Sequence, residues 1–132
     1  MRIFVDTSAF LAILDATDEN HSTAQRIWQE LLLNREMLIC SNYVLVETLA
    51  LIQRHFGMPT VRIFQDRVTP VLQIEWADEA LQQAAVTALF AANQPHLSLV
   101  DCMSFQVCRR LGVDAVFAFD EHFVEQGFTC LF

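Results

Sequence analysis

Four short apolar runs divide this chain: Ile3-Phe4-Val5, Met37–Cys40, Val71–Ile74 and Ala115–Phe119. They are continuous rather than alternating between apolar and polar residues. A strand apolar on both sides must be covered on both faces, and that is the property of a parallel sheet packed between helices. Between the runs lie longer segments with apolar residues at helical spacing, such as Ala24, Ile27, Trp28, Leu31 and Leu32. Strands and helices alternate, so the pattern predicts an α/β chain with a parallel sheet. Thr129–Leu131 extends the prediction to a fifth, edge strand.

The punctuation supports this reading. Helices are expected over Thr7–Leu14, over His21–Asn34, from Asn42 to about Phe56, and from Pro59 to near Pro70. Others are expected from Glu79 to about Ala92 and from Leu99 to Leu111, with a short last helix closing at Gly127. Ser41, Asp78 and Ser98 are suitable N-caps, and the three glycines each follow a helical pattern, as C-caps do. No linker, repeat or low-complexity stretch interrupts residues 1–132, which read as one domain.

Composition removes whole classes of function. The chain has 8 basic and 16 acidic residues, a net charge of −8, and every basic residue is arginine. A Walker phosphate loop and Schiff-base catalysis both need a lysine. The isolated Gly57, Gly112 and Gly127 cannot form a dinucleotide-binding loop. Cys40, Cys102, Cys108 and Cys130 show no C-x-x-C spacing and the histidines no H-x-x-x-H pairing, which argues against zinc and for reduced thiols. The longest unbroken apolar run, Ala9–Leu14, is far too short for a membrane span, so a soluble cytoplasmic protein is expected.

Most of the acids fit loops and polar faces; four do not. Asp6 and Asp120 end apolar strands, Glu47 sits in Tyr43–Ile52, a helix apolar nearly all round and therefore expected to be buried, and Asp101 follows Ser98-Leu99-Val100 at a helix start. Each has an ordinary alternative: N-caps for Asp6 and Asp120, a capping box for Asp101, and a buried ion pair with an arginine for Glu47. In a parallel sheet, however, strand ends and the starts of the following helices share one edge, where such folds place their sites. Four carboxylates gathered there repel one another, and with no lysine available a divalent cation is the natural counter-charge. All-oxygen ligands suit Mg²⁺ or Mn²⁺, one or two ions, and the chemistry that follows is phosphodiester hydrolysis.

Taken together, Asp6-Thr7-Ser8, Glu47, Ser98-Leu99-Val100-Asp101 and Phe119-Asp120-Glu121-His122-Phe123 resemble the motifs of PIN-domain ribonucleases, in particular the VapC-type toxins of bacterial and archaeal toxin–antitoxin systems. The resemblance spans essentially the whole chain. It implies a three-layer α/β/α sandwich with a four- to five-stranded parallel sheet, and Mg²⁺- or Mn²⁺-dependent endoribonuclease activity. Asp6, Asp101, Asp120 and Glu47 would be the catalytic, metal-binding quartet, with Ser8 and Ser98 supporting it. It also implies an RNA substrate, a small antitoxin partner and a homodimer. Ala118 departs from the pattern, since family members often carry Ser or Thr there; an inactive PIN-like binding module is therefore the alternative. Arg54, Arg62 and Arg67 around the Phe56–Pro59 turn are candidate RNA contacts. Phe64, Val68, Leu89 and Phe90 are candidates for a dimer or antitoxin surface, and ordinary core packing explains them equally well.

Overall fold

The computed structural model describes residues 1–132. Four parallel strands, β1 (Arg2–Val5), β2 (Met37–Ser41), β3 (Leu72–Glu75) and β4 (Ala115–Phe117), form one sheet in the order β3-β2-β1-β4. The inner strands are the most apolar: Ile3, Phe4, Val5, Ile39 and Cys40 are fully buried. The register sets Ile3 opposite both Leu38 and Ala115, and Phe4 opposite both Ile39 and Val116.

Seven helices cover the sheet. α1 (Thr7–Leu14) and α2 (His21–Leu33) connect β1 to β2, and α3 (Asn42–Phe56) and α4 (Met58–Ile63) connect β2 to β3. α5 (Glu79–Ala92) and α6 (Leu99–Leu111) carry the chain back across the sheet to β4, and α7 (His122–Glu125) follows. β2 and β3 build outward on one side of β1, whereas β4 adds on the other. Right-handed crossovers then place α1–α4 on one face and α5–α6 on the opposite one. The three-layer sandwich expected from the sequence is the observed architecture. The reversal between β1 and β4 opens a crevice at their carboxyl ends. No helix is long and apolar enough to cross a membrane.

Three expectations need correction. The fifth strand is a single parallel bridge, Val116 with Cys130, not a strand. β4 stops at Phe117 rather than Phe119, because the Phe119 N–H donates to the Ser8 hydroxyl instead of continuing a ladder. The helix after Gly57 is regular only to Ile63; Phe64–Val68 then forms a π turn and Thr69–Val71 a 3₁₀ turn. Pro70 has no N–H to continue the α pattern, and Thr69 N–H bonds Phe64 C=O across the wider turn.

That turn seats Phe64 in the core rather than on the surface. Its ring is fully buried, 5.2 Å from Phe10 and edge-to-face at 86°. Of the four apolar residues expected to form an interaction surface, only Phe90 is strongly exposed, at 74%. Val68 and Leu89 are partly buried and pack on the core. Phe64→Ala is accordingly expected to cost about 3–5 kcal/mol of folding stability, whereas Phe90→Ser should change it by no more than about 0.5 kcal/mol. Denaturant unfolding of the two variants measures both.

Candidate active site

Asp6 leaves β1 as the N-cap of α1 and is 5% exposed. Its Oδ2 accepts two hydrogen bonds from Ser8, 3.1 Å from the backbone N–H and 2.7 Å from Oγ. The same Ser8 Oγ accepts the Phe119 N–H at 3.0 Å. One hydroxyl therefore ties the end of β1 to the segment leading to Asp120. This segment includes Ala118, which is fully buried and has no hydroxyl to offer. Asp6 N–H donates to Phe117 C=O at 3.0 Å, which closes the same junction through the backbone.

Asp101 lies in the first turn of α6 within a reciprocal capping box. Ser98 N–H donates to Asp101 Oδ2 at 3.0 Å, and Asp101 N–H donates to Ser98 Oγ at 3.1 Å. The capping alternatives for Asp6 and Asp101 are thus realised, and they do not compete with a site. Each cap fixes one carboxylate oxygen and leaves the other unbonded.

Glu47 stands on α3 and is only half-buried. α3 buries a single stripe, Val44, Thr48 and Ile52, while Val46 is 67% exposed; the expectation of a helix buried nearly all round was too strong. Nor does Glu47 pair with an arginine, since the ion pairs of the chain lie elsewhere. Thr48 and Thr7 share a buried hydroxyl–hydroxyl hydrogen bond of 3.1 Å, which docks α3 against the start of α1 beside Asp6.

Asp120 follows β4 and accepts from His122 N–H at 3.0 Å. His122 is not among the residues expected from the sequence, yet ligand atoms of Asp101, Asp120 and His122 all lie within 4.8 Å of one another. His122 Nε2 is 3.6 Å from Asp120 Oδ1, and its ring stacks on His96 at 5.0 Å. The signal was present in the sequence as a histidine two residues after a strand-end acid.

The electrostatics show that the acids share one environment. Burial pushes the Asp6 carboxyl up to about 6; the Ser8 hydrogen bonds oppose this, and the charges of Asp101 and Asp120 add to it. Burial also raises Glu47, with the Thr7 hydroxyl opposing and Asp101 adding. Burial alone would lower the His122 imidazole, but Asp120, Glu125 and Asp101 outweigh it and hold it above its usual value. Asp101 and Asp120 approach each other closely together with His122, whereas Asp6 and Glu47 are not part of that close group and feel the charge of Asp101 from outside it. No arginine lies within ion-pair distance of any of these acids.

Arg54, Arg62 and Arg67 are exposed in the last turn of α3, the last turn of α4 and the π turn. Arg54 stands about 10 Å further along α3 than Glu47, at 1.5 Å per residue. All three are exposed, and none pairs with the acids.

Known proteins match this chain along its length. A family model described as PIN domain matches residues 3–128. The chain is 35% identical over 128 residues to the 23S rRNA-specific endonuclease VapC20 of Mycobacterium tuberculosis, covering 96% of this chain and 95% of that protein. The crystal structure of that VapC20, described as a Sarcin-Ricin loop cleaving toxin, superposes with a TM-score of 0.84 at 32% identity over 96% of each chain. VapBC2 from Rickettsia felis, bound to a promoter DNA fragment, shares the fold at a TM-score of 0.72 and 10% identity, covering 98% of this chain and 97% of that one.

The Asp6 shift has a consequence for stability. Its folded value near 6 exceeds the ordinary 3.8, so between those values the folded chain keeps a proton that the unfolded chain has released. Metal-free protein should lose stability as pH rises through this window, with the full penalty present above about pH 6. Asp6→Asn should then stabilise metal-free protein by about 1–3 kcal/mol at pH 7.5 and by progressively less toward pH 4. Thermal melts of both proteins in EDTA across that range test it.

Proposed function

This chain belongs to the PIN-domain family, and on that footing we propose that it is a divalent-metal-dependent endoribonuclease and the toxin of a toxin–antitoxin pair. The observation that carries the reading is the close approach of Asp101, Asp120 and His122, with Asp6 and Glu47 near enough to feel the Asp101 charge and no arginine in ion-pair contact with any of them. A fold that gathers carboxylates without a counter-charge bears a repulsive cost, which a bound cation removes. The donor set, carboxylate oxygens with one nearby imidazole, fits Mg²⁺ or Mn²⁺.

Asp6, Asp101 and Asp120 would hold the ion, and Glu47 would hold a second ion or position the attacking water. Bound there, the cation supplies an acidified water and charge stabilisation for the phosphodiester being cut. The chain's own residues do the rest. Ser8 holds one Asp6 oxygen and leaves the other free to take a ligand. Ser98 does the same for Asp101. The raised Glu47 carboxyl is a better proton acceptor than an exposed glutamate, and it can take the proton of a water in the crevice. No serine, cysteine or lysine nucleophile is required.

The substrate we propose is ribosomal RNA of the large subunit, because the relative at 35% identity over nearly the whole chain is named for that target. A small antitoxin is the proposed partner, and a homodimer the proposed assembly; toxin–antitoxin complexes of the same fold support the first of these. Arg54, Arg62 and Arg67 would meet RNA phosphates at a distance from the cut.

Purified protein should cleave ribosomal RNA with Mg²⁺ or Mn²⁺ and stop on addition of EDTA. Asp6→Asn and Asp101→Asn should each reduce the rate at least about a hundredfold while remaining folded, a loss of about 3 kcal/mol or more of transition-state stabilisation. Cleavage in EDTA, or parental rates in both variants, would show that the acids do not do this chemistry. An inactive binding module would bind RNA and cut none.

A further inference from the structure

Glu47 also borders a second cavity of about 310 Å³, lined by Asn42, Tyr43, Val46 and Val100. One of the proposed site acids, Glu47, is part of its wall, and the lining residue Val100 immediately precedes Asp101 in the chain. Tyr43 contributes an aromatic ring, and Val46 and Val100 contribute aliphatic sides. No cationic side chain lines the cavity, so it is not built for a phosphate.

Asn42 gives it one polar direction. Its Oδ1 accepts the Ala77 N–H at 2.8 Å, and this bond settles which end of the amide is which. The Nδ2 end has no acceptor within the chain and retains two N–H donors. An aromatic face, two aliphatic walls and one oriented donor match a nucleobase, which offers a π surface and acceptors along its edge.

We propose that this cavity seats the nucleobase adjoining the scissile phosphodiester, stacked on Tyr43 and hydrogen-bonded at an edge acceptor by Asn42 Nδ2, and that it thereby sets the base preference of the cut. The inference rests on the endoribonuclease reading above. A phosphodiester bound through the cation that the site acids would hold leaves its neighbouring base within reach of the Tyr43–Val46–Val100 side next to Glu47, and the apolar lining rewards removing that base from water.

Oligoribonucleotides spanning the cut site, with each of the four bases on either side of the scissile bond, test this with Mn²⁺ present. Tyr43→Leu keeps the apolar volume and removes the stacking face; KM should rise about tenfold to a hundredfold, with kcat changed far less. Tyr43→Trp should restore the parental KM. Asn42→Asp still accepts from Ala77 but presents an acceptor where the parent presents a donor, so it should lose the parental base preference even if Tyr43→Leu proves too unstable to assay. Parental KM and base preference in both Tyr43→Leu and Asn42→Asp overturn the subsite. So does a Tyr43→Leu defect confined to antitoxin binding, which would assign the cavity to that partner. If the parent chain cuts none of these RNAs with any divalent ion, it is the endoribonuclease reading that fails, and the subsite falls with it.

Discussion

A buried carboxylate with no cation beside it is the constraint around which the active edge is arranged. Asp6 follows the fully buried Ile3-Phe4-Val5 of β1 and is itself only 5% exposed. Left alone, it would be among the most costly groups in the molecule. The Ser8 hydroxyl lessens that cost by donating to Asp6, and at the same time it accepts from Phe119. A single side chain therefore supports the acid, terminates β4 and brings the Asp120 segment across the β1–β4 reversal. Much of the edge follows from that junction, including the shorter strand and the presence of Asp120 close enough to add to the Asp6 shift.

The site gains its other members by capping. Asp6 and Asp101 each satisfy orphan backbone N–H groups at a helix start, which is ordinary structural work. Because α1 and α6 begin at the same edge of the sheet, two routine caps place two carboxylates where each feels the other's charge. Structure and chemistry share these residues, and a variant that keeps the cap while losing the charge separates the two roles. Asn is such a replacement, since its side-chain oxygen still accepts from backbone N–H groups.

The arginines form a complementary pattern. Arg2 bonds the Leu111 carbonyl and Arg109 bonds Gln126 and lies over Phe128, so these serve the scaffold. Arg54, Arg62 and Arg67 stay exposed on α3, α4 and the π turn. Positive charge is thereby kept out of the crevice, where an arginine would occupy the place of a cation, and left on the surface where a polyanion can reach it.

Much of this was legible in the sequence because it depends on local chemistry. Continuous apolar runs alternating with helical spacing dictate a covered parallel sheet. Asp6 and Asp120 follow, as proposed site residues, from being acids after such runs, and Asp101 from its place at a helix start on the same edge. The rest depends on which segments meet. That Phe64 is core rather than surface was decided by the π turn that points it at Phe10. His122 became a neighbour of Asp101 only when α6 and the segment after β4 were brought together. Glu47 was expected to be deeply buried, yet α3 packs by one stripe and leaves it half-exposed. Periodicity along a chain records which residues prefer to leave water. It does not record the partners they leave it with, because those contacts join residues far apart in sequence and exist only once the sheet has formed.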